Sequence, residues 1–299
     1  TEQAEEESNL RRRLLLDPQT VVMKNPLESR NLGQTPRFQT LEQQGKMLSS
    51  CHPSRHLTTN HSQTLPDFIK AVFTSLAHVQ TGERPLSWVV KNFNYLAEQR
   101  GALASGTWTE FGVFAGSTLK EASDNLGQQG FTGTLAGFDS FEGLPSKWRN
   151  GFDAGTFGGD VAGGNLFSYV RNLLPPSVEL YKGWFQDTIG PFLMAHEGAP
   201  STLIHHDGDL FVSTAITFAL MNERIVPGTL ICFDEIFGYP GFEQHEVMSL
   251  QLWMREHDVT LCPIAVKGPL KMDVHIGDVK FDVDPTEQSA CFQVLDMRK

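Results

Sequence analysis

Two acidic segments of the sequence, HHDGDLF and CFDEIFG, carry the residue types best suited to chemistry, because each follows a short apolar run typical of a buried strand. Adjacent strands lie about 4.8 Å apart, so Asp207, Asp234 and Glu235 would meet at one edge of a sheet. Converging carboxylates repel one another unless a cation lies between them, and oxygen ligands suit Mg²⁺, Ca²⁺ or Mn²⁺ better than zinc. The pattern predicts a divalent-metal site at these three residues, with Asp209 as a further candidate. The alternative is that Asp207 or Asp209 caps the helix that starts near Ser213.

Histidines near the acidic segments could supply a catalytic base. Strand alternation places His205 on the same side as Asp207 and His206 on the opposite side. His245 and His275 follow later in the chain. A histidine in a strand is more often structural than catalytic, and we take Asp207, His206 and His245 as the candidate catalytic residues.

The segment EFGVFAGSTL, Glu110–Leu119, contains two glycines where a strand passes into a helix. Gly112 would allow a tight turn, and Gly116 would let the backbone approach a ligand closely. Ser117 could open the helix that follows. The spacing GxxxG differs from the GxGxxG of dinucleotide-binding loops, and the alternative is a pair of glycines that only pack strand against helix.

The segment GFDSFEGLP places Asp139 at the end of the next strand, where an acid can accept hydrogen bonds from ribose hydroxyls. The alternative is a solvated loop carboxylate. Glu110 could face a cationic amino group, and Trp184 could cover an adenine ring. With the glycines, these features favour a nucleoside-containing cofactor. The candidate cofactor-binding residues are Glu110, Gly112, Phe114, Gly116, Ser117, Asp139, Ser140, Trp184 and Asp207.

These residues need elements that bring them to one edge of a sheet. Short apolar runs alternate with loops and helical stretches, which is typical of a parallel sheet with helices on both faces. The last two runs predict an antiparallel pair, and Lys267–Pro285 reads as a loop with a short hairpin. The predicted strands are Thr107–Val113, Thr132–Asp139, Ser177–Lys182, Thr202–Asp207, Thr229–Asp234, Val259–Val266 and Ala290–Leu295.

The N-terminal region differs from this α/β pattern. Residues 1–62 are rich in polar residues and prolines, and we expect an irregular arm that is compatible with a homodimer. Residues 63–104 predict a helical lead-in, with one helix from Leu65 and a second over Pro85–Arg100. Residues 105–299 would form a Rossmann-like core that belongs to the same domain as this lead-in.

Composition limits the classes of partner. The 299-residue chain has a formal net charge of −11 and no large basic cluster, which argues against a nucleic-acid phosphate track and favours a small molecule or a protein as the partner. No apolar run approaches the roughly 18 residues of a membrane span, so we expect no membrane partner. Cysteines 51, 232, 262 and 291 lack CxxC spacing, which predicts buried free thiols, a reducing compartment and a cytoplasmic location. The chain begins without methionine, so removal of a preceding segment stays open.

Five motifs, in this order, resemble the macrocin O-methyltransferase family over roughly Trp108–Glu246: EFGVFAGSTL, GFDSFEGLP, GWFQDT, HHDGDLFVST and FDEIFGYPGFEQHE. Members of this family methylate hydroxyls of macrolide sugars and other natural products. The resemblance implies an α/β, Rossmann-like class I methyltransferase that uses S-adenosylmethionine. The implied sheet has seven mostly parallel strands and a terminal antiparallel pair.

The resemblance also implies roles for the motif residues. The loop over residues 110–117 would hold the methionine part of S-adenosylmethionine, Asp139 the ribose, and the segment containing Trp184 the adenine. The three predicted metal ligands would hold Mg²⁺ or another divalent cation. Glu235 stands where the macrolide enzymes carry aspartate, which keeps the charge and changes the reach. The family's catalytic histidine follows the metal ligands, and both His245 and His275 remain candidates.

The function implied is metal-dependent O-methylation of a small molecule such as a sugar diol, a macrolide-type compound or a catechol-like natural product. Two vicinal hydroxyls would chelate the cation best. The aromatic segments Phe152–Phe157 and Phe237–Phe242 are predicted to form an acceptor lid. Two alternatives remain: an NAD(P)-dependent oxidoreductase on a Rossmann sheet, and a non-catalytic protein that kept the methyltransferase fold.

Overall fold

The structure is a computed structural model that describes residues 41–161, 164–268, 274–276, 279–281 and 288–298. The strands are β1 (Thr107–Phe111), β2 (Thr134–Asp139), β3 (Asp160–Val161), β4 (Gly164–Asn165), β5 (Glu179–Lys182), β6 (Ser201–His206), β7 (Leu230–Phe233), β8 (Thr260–Val266), β9 (Val274–Ile276), β10 (Val279–Phe281) and β11 (Ala290–Asp296). The helices are α1 (Leu41–Ser50), α2 (Leu65–Leu76), α3 (Pro85–Lys91), α4 (Phe93–Arg100), α5 (Ser117–Asn125), α6 (Leu166–Leu173), α7 (Phe185–Ala195), α8 (Phe211–Met221) and α9 (Glu246–Glu256).

Seven of these strands form one sheet in the order β5-β2-β1-β6-β7-β11-β8. The strands from β5 to β7 pair in parallel, whereas β11 pairs antiparallel with both β7 and β8. The prediction of a mostly parallel sheet with a terminal antiparallel pair is therefore confirmed. The strand order reverses between β1 and β6, and ligands of open α/β sheets bind beyond the carboxyl ends of the strands at such a switch.

Helices cover both faces of the sheet, as the alternation of the sequence predicts. On one face α2, α7, α8 and α9 pack against residues such as Ile204 and Ile231. On the other face α3, α4 and α5 pack against their strand neighbours Leu203 and Leu230. Successive side chains of a strand point to opposite faces, so these fully buried strands read as continuous apolar runs.

The N-terminal region departs from the predictions at two places. Leu41–Ser50 forms a helix rather than an irregular arm, and residues 1–40 lie outside the described residues. The predicted helix over Pro85–Arg100 is interrupted at Asn92, whose φ of −109° and ψ of 16° are not helical. The Asn92 side-chain amide donates to the Trp88 carbonyl at 2.8 Å, a local bond of the kind that competes with helix continuation.

The prediction of free cysteine thiols is wrong. Cys232 and Cys291 face each other in the β7–β11 register and form a disulfide. A second disulfide joins Cys51, just after α1, to Cys262 in β8. Disulfides are typical of oxidising compartments, so the cysteines give no support to a reducing one.

Two further predictions concern the C-terminal part and membranes. Strands β9 and β10 pair antiparallel as the hairpin expected within Lys267–Pro285. In the part of the chain that the structure describes, no helix has the length and apolar character needed to cross a bilayer.

Candidate active site

The carboxyl ends of β6 and β7 bring the predicted acidic residues together. The Asp207 amide donates to the Phe111 carbonyl at 2.9 Å, and the Asp234 amide donates to the His206 carbonyl at 2.9 Å, so both acids continue the sheet ladder. Two groups of three residues could hold a metal ion, and within each group the ligand atoms lie within 4.8 Å of one another. Both groups include Asp207; one adds Asp209 and Glu235, and the other adds Asp234 and the unpredicted His205, so the three predicted ligands are divided between the two groups.

Burial and mutual repulsion make several of these carboxylates hard to ionise. Burial raises the pKa of Asp207 well above its usual value, and the charges of Asp234 and Glu235 raise it further. Burial and the charge of Asp234 act in the same direction on Glu235. Burial raises the pKa of Asp209 to about 7, against the opposing charge of Arg149. Like charges crowded without a cation raise carboxylate pKa values in this way.

Asp234 is the exception, because it has a cationic partner. The Arg84 Nε donates to Asp234 Oδ1 at 3.1 Å, and a guanidinium Nη2 contacts the same oxygen. Burial would raise the pKa of Asp234, but the charges of Arg84 and His205 outweigh it and lower the pKa. Arg84 precedes α3 in the helical lead-in, and no pattern around it predicts that its side chain reaches the sheet edge.

Asp209 and Glu246 are buried acids whose charges act on Glu235. Asp209 has a φ of +62°, a left-handed conformation that costs energy for a residue other than glycine and persists where the surroundings impose it. Glu246 opens α9 and has no exposed surface. Burial raises its pKa well above the usual value, followed by the charges of Asp209 and Asp234. Glu246 was missed by residue-type reasoning, although it lies within the FDEIFGYPGFEQHE segment.

Glu110 belongs to the same row of polar side chains rather than to an open surface. It is fully buried, and it accepts a hydrogen bond from the Thr118 hydroxyl at 2.8 Å. The second carboxylate oxygen of Glu110 lies 3.3 Å from Nδ1 of His205. The other ring nitrogen of His205, Nε2, lies 3.9 Å from Asp234 Oδ1. Both contacts are with other side chains of the protein. The predicted contact of Glu110 with a cofactor amino group stays a prediction.

The glycine loop is shaped by close packing. A Cβ on Gly112 would lie 1.8 Å from the Asp207 carbonyl oxygen, so this glycine, with a φ of +100°, allows β1 to approach the β6 end. Gly116, with a φ of +76°, precedes α5, and a Cβ there would lie 3.1 Å from Val170 Cγ1. The packing alternative therefore accounts for both glycines, and their contact with a ligand stays a prediction.

Asp139 holds the glycine loop in place. One carboxylate oxygen accepts from the backbone amides of Val113 and Phe114, each at 2.8 Å. The other oxygen accepts from the Phe141 amide at 2.6 Å. Asp139 thus links the ends of β1 and β2, and its predicted bond to a ribose would use the acceptor capacity that remains.

The other predicted cofactor-binding residues surround this loop. Phe114 has a φ of +42° and exposes 41% of its surface. Ser117 is exposed at the start of α5. The buried Ser140 hydroxyl accepts from the Glu142 amide at 3.1 Å. Trp184 is partly exposed between β5 and α7. All four lie at the carboxyl ends of β1, β2 and β5, beside the switch in strand order.

The candidate histidines lie in different surroundings. His206 is buried in an aromatic cluster, with ring centroids 4.9 Å from Phe233 and 4.6 Å from Phe218. Burial lowers its pKa to about 3, and its position on the core face argues against a role as base. His245 precedes α9, with its ring 6.2 Å from that of Tyr239, and it stays a predicted base. The side chain of His275 lies outside the described residues.

The two aromatic segments predicted as a lid are connected through Trp148 and Arg149, which precede the first segment. The Trp148 ring lies 5.2 Å from the rings of both Phe152 and Tyr239. The Arg149 guanidinium carbon lies 3.8 Å from the centroid of the Trp148 ring and 4.7 Å from those of Phe152 and Tyr239. The charge of Arg149 also acts on Asp209. The segments therefore meet beside the acidic cluster, and their role as an acceptor lid stays a prediction.

The strand order and the antiparallel β11 define a class I methyltransferase fold. A family model described as macrocin O-methyltransferase (TylF) matches residues 38–247, which is more than half of the chain. The chain therefore belongs to the macrocin O-methyltransferase family, and it is an O-methyltransferase. The resemblance inferred from the five motifs is confirmed.

Comparisons with other known proteins give weaker similarities. Among curated proteins no significant match is found. The calicheamicin methyltransferase CalS11 is 16% identical, with 89% of this chain and 98% of that chain covered at a TM-score of 0.49. The O-methyltransferase NovP is 16% identical, with 69% and 78% covered at a TM-score of 0.45. MycE, from the mycinamycin pathway and solved with Mg and SAH, is 10% identical, with 85% and 62% covered at a TM-score of 0.36. The assignment rests on the family model and not on these structures.

Proposed function

We propose that this protein transfers the methyl group of S-adenosylmethionine to a hydroxyl of a small molecule and requires a divalent cation to do so. The observation that supports this most directly is the convergence of Asp207, Asp209 and Glu235, whose ligand atoms lie within 4.8 Å of one another. This cluster lies beside the glycine loop at the switch in strand order, where α/β sheets bind ligands.

The donor site of the proposal comprises the loop over residues 110–117 and the neighbouring strand ends. S-adenosylmethionine, when bound, supplies a methyl group on a positively charged sulfur. Asp139 orders the loop by accepting hydrogen bonds from the backbone amides of Val113 and Phe114 and would bind the ribose. The partly exposed Trp184 would cover the adenine.

The acidic cluster fits a divalent cation. Burial and the charges of neighbouring acids raise the pKa values of Asp207, Asp209 and Glu235, whereas Arg84 and His205 lower the pKa of Asp234. Glu235 Oε2 is buried and has no hydrogen-bond partner within the described residues. Asp207, Asp234 and Glu235 are the ligands that the sequence predicts, and all three are partly accessible. A cation held there would lower the pKa of a bound acceptor hydroxyl and orient it.

The chain's own residues would then exclude water and accept the proton. His245 is the base we propose, because it precedes the buried Glu246 and faces Tyr239 of the predicted lid. The two aromatic segments, which both contact Arg149 through Phe152 and Tyr239, would cover an acceptor with vicinal hydroxyls, such as a sugar diol, a macrolide-type compound or a catechol-like product. Family membership leaves no support for the nicotinamide-dependent alternative. A homodimer and a cytoplasmic location stay predictions, the latter now without its basis in free thiols.

Isothermal titration of the full chain with S-adenosylmethionine and S-adenosylhomocysteine, each with Mg²⁺ or with a chelator, tests the proposal. We expect micromolar binding of both. Asp139→Ala should weaken cofactor binding, whereas Asp207→Ala should abolish metal-dependent activity and leave cofactor binding largely intact. Absence of binding by folded protein under every condition would remove the proposed donor, and equal unfolding of both variants would refute the division of roles.

A further inference from the structure

We infer that Glu246 accepts hydrogen bonds from water bound to the divalent cation and is therefore a positioning residue of the metal site. The inference deepens the proposed function and rests on it, since it presupposes that a cation binds the acidic cluster. It concerns a residue that lies outside the ligand set Asp207, Asp234 and Glu235.

The first observation is that the Glu246 carboxylate is buried without a partner. The residue has no exposed surface, and neither Oε1 nor Oε2 forms a hydrogen bond within the described residues. The backbone amide of Glu235 and the Thr214 hydroxyl act on the carboxylate and lower its pKa, but both lie outside the geometry of a hydrogen bond to it. Buried polar groups in proteins are nearly always hydrogen-bonded. A carboxylate without a hydrogen bond therefore indicates a donor that is present only when the site holds its ligands.

The second observation is the charge around it. The groups that act most strongly on Glu246 are Asp209 and Asp234, which are also acidic. Two arginines act on neighbouring acids, because Arg84 pairs with Asp234 and the charge of Arg149 acts on Asp209, but neither donates to the Glu246 carboxylate. An acid placed among acids requires a positive charge or donors from solvent.

The geometry favours a role through water rather than direct ligation. The ligand atoms of Asp207, Asp209 and Glu235 lie within 4.8 Å of one another, and Glu246 is not part of that group. Mg²⁺ dehydrates reluctantly and usually keeps several waters. Side chains that hydrogen-bond to the groups bound directly to a metal ion orient those groups. Loss of such a side chain typically costs about 10–100-fold in metal affinity. Both free oxygens of Glu246 suit this role, because bound water is a donor.

The competing explanation is that Glu246 is a protonated structural residue that fills space at the start of α9. Glu246→Gln separates the two, because glutamine keeps the size of the side chain and removes its charge. Glu256→Gln is the matched control, since Glu256 ends the same helix and is exposed. A purely structural role would leave metal affinity unchanged in both variants.

The experiment is titration of Mn²⁺ into full-length wild-type protein and both variants, with S-adenosylhomocysteine binding and the melting temperature in chelator measured alongside. We expect Glu246→Gln to raise the Mn²⁺ Kd by about tenfold or more, with S-adenosylhomocysteine affinity unchanged and no loss of melting temperature in chelator. Glu256→Gln should match wild type in every measurement.

Several outcomes would overturn the inference. Wild-type Mn²⁺ affinity in Glu246→Gln would show that the carboxylate does not serve the cation. A large fall in melting temperature in chelator would show that its role is structural. Wild-type protein that binds S-adenosylhomocysteine but not Mn²⁺ would remove the metal from the proposed function, and Glu246's role with it, while leaving the donor site in place.

Discussion

Replacement of His206 by leucine tests whether this histidine belongs to the core or to the catalytic apparatus. The ring is buried between Phe218 and Phe233, and leucine has a similar volume without a titrating group. Burial lowers the pKa of His206 to about 3, whereas an unfolded histidine titrates near 6.5. Between about pH 3 and about pH 6.5, the unfolded chain therefore carries a proton on His206 that the folded protein does not carry.

The direction of the effect follows from this difference. Above about pH 6.5 His206 is neutral in both states and has no effect on the pH dependence of stability. Below that pH the unfolded chain binds a proton that the folded protein excludes, so the free energy of unfolding falls until the pH reaches about 3. At about 1.4 kcal/mol per pH unit, His206 alone removes about 2 kcal/mol at pH 5.

The measurement is urea-induced unfolding of wild-type protein and His206→Leu at pH 7.5 and at pH 5.0, followed by tryptophan fluorescence. Other titrating groups contribute equally to both proteins, so they cancel when the two pH-dependent losses are subtracted. We expect wild type to lose about 2 kcal/mol more than the variant between the two pH values.

The same variant also addresses catalysis. We expect His206→Leu to retain S-adenosylmethionine binding and methyl transfer at pH 7.5, because the ring lies on the core face of β6. Equal losses of stability in the two proteins would refute the assignment to a neutral core histidine. A folded variant that binds the cofactor but transfers no methyl group would return His206 to the catalytic residues.

Three other predictions follow from the packing and the charges. Gly112→Ala should lower the free energy of unfolding by roughly 3 kcal/mol or more, because the added Cβ would overlap the Asp207 carbonyl oxygen. Gly127→Ala is the control, since a Cβ there has nothing within 4 Å, and it should be near neutral. Urea-induced unfolding of both variants measures the difference. Arg84→Gln should lower the melting temperature in chelator, because it leaves Asp234 without its cationic partner, and added Mn²⁺ should restore most of the loss; no change in chelator would contradict that pairing. Thiol titration of unreduced, denatured protein should detect no free cysteine, and four reactive thiols would contradict both disulfides.

Much of the fold and part of the site could be predicted because they depend on local patterns. Apolar runs that end in acids indicate strand tips, and parallel pairing brings such tips to one edge. Strand tips of this kind predict that Asp207, Asp234 and Glu235 meet, and Asp207 lies in one group of potential ligands with Asp234 and in another with Glu235. Strand alternation also placed His205 and His206 on opposite sides, as observed.

The remaining features depend on contacts between distant parts of the chain. Arg84 reaches Asp234 across 150 positions, and Cys51 reaches Cys262 across 211, so no spacing rule could reveal either pair. Glu246 opens a helix, and its sequence neighbours do not show that its carboxylate is buried among acids. Likewise Gly112 matched a ligand-binding pattern, whereas its main constraint is the Asp207 carbonyl.

The most direct test of the central claim is methyl transfer itself. Full-length protein would be incubated with methyl-labelled S-adenosylmethionine and a panel of glycosylated diols and catechols, with Mg²⁺ or with a chelator, beside the Asp207→Ala variant. The account predicts label in an acceptor hydroxyl and matching S-adenosylhomocysteine only for wild type with Mg²⁺. Transfer that is equally fast in chelator and in Asp207→Ala would contradict the account.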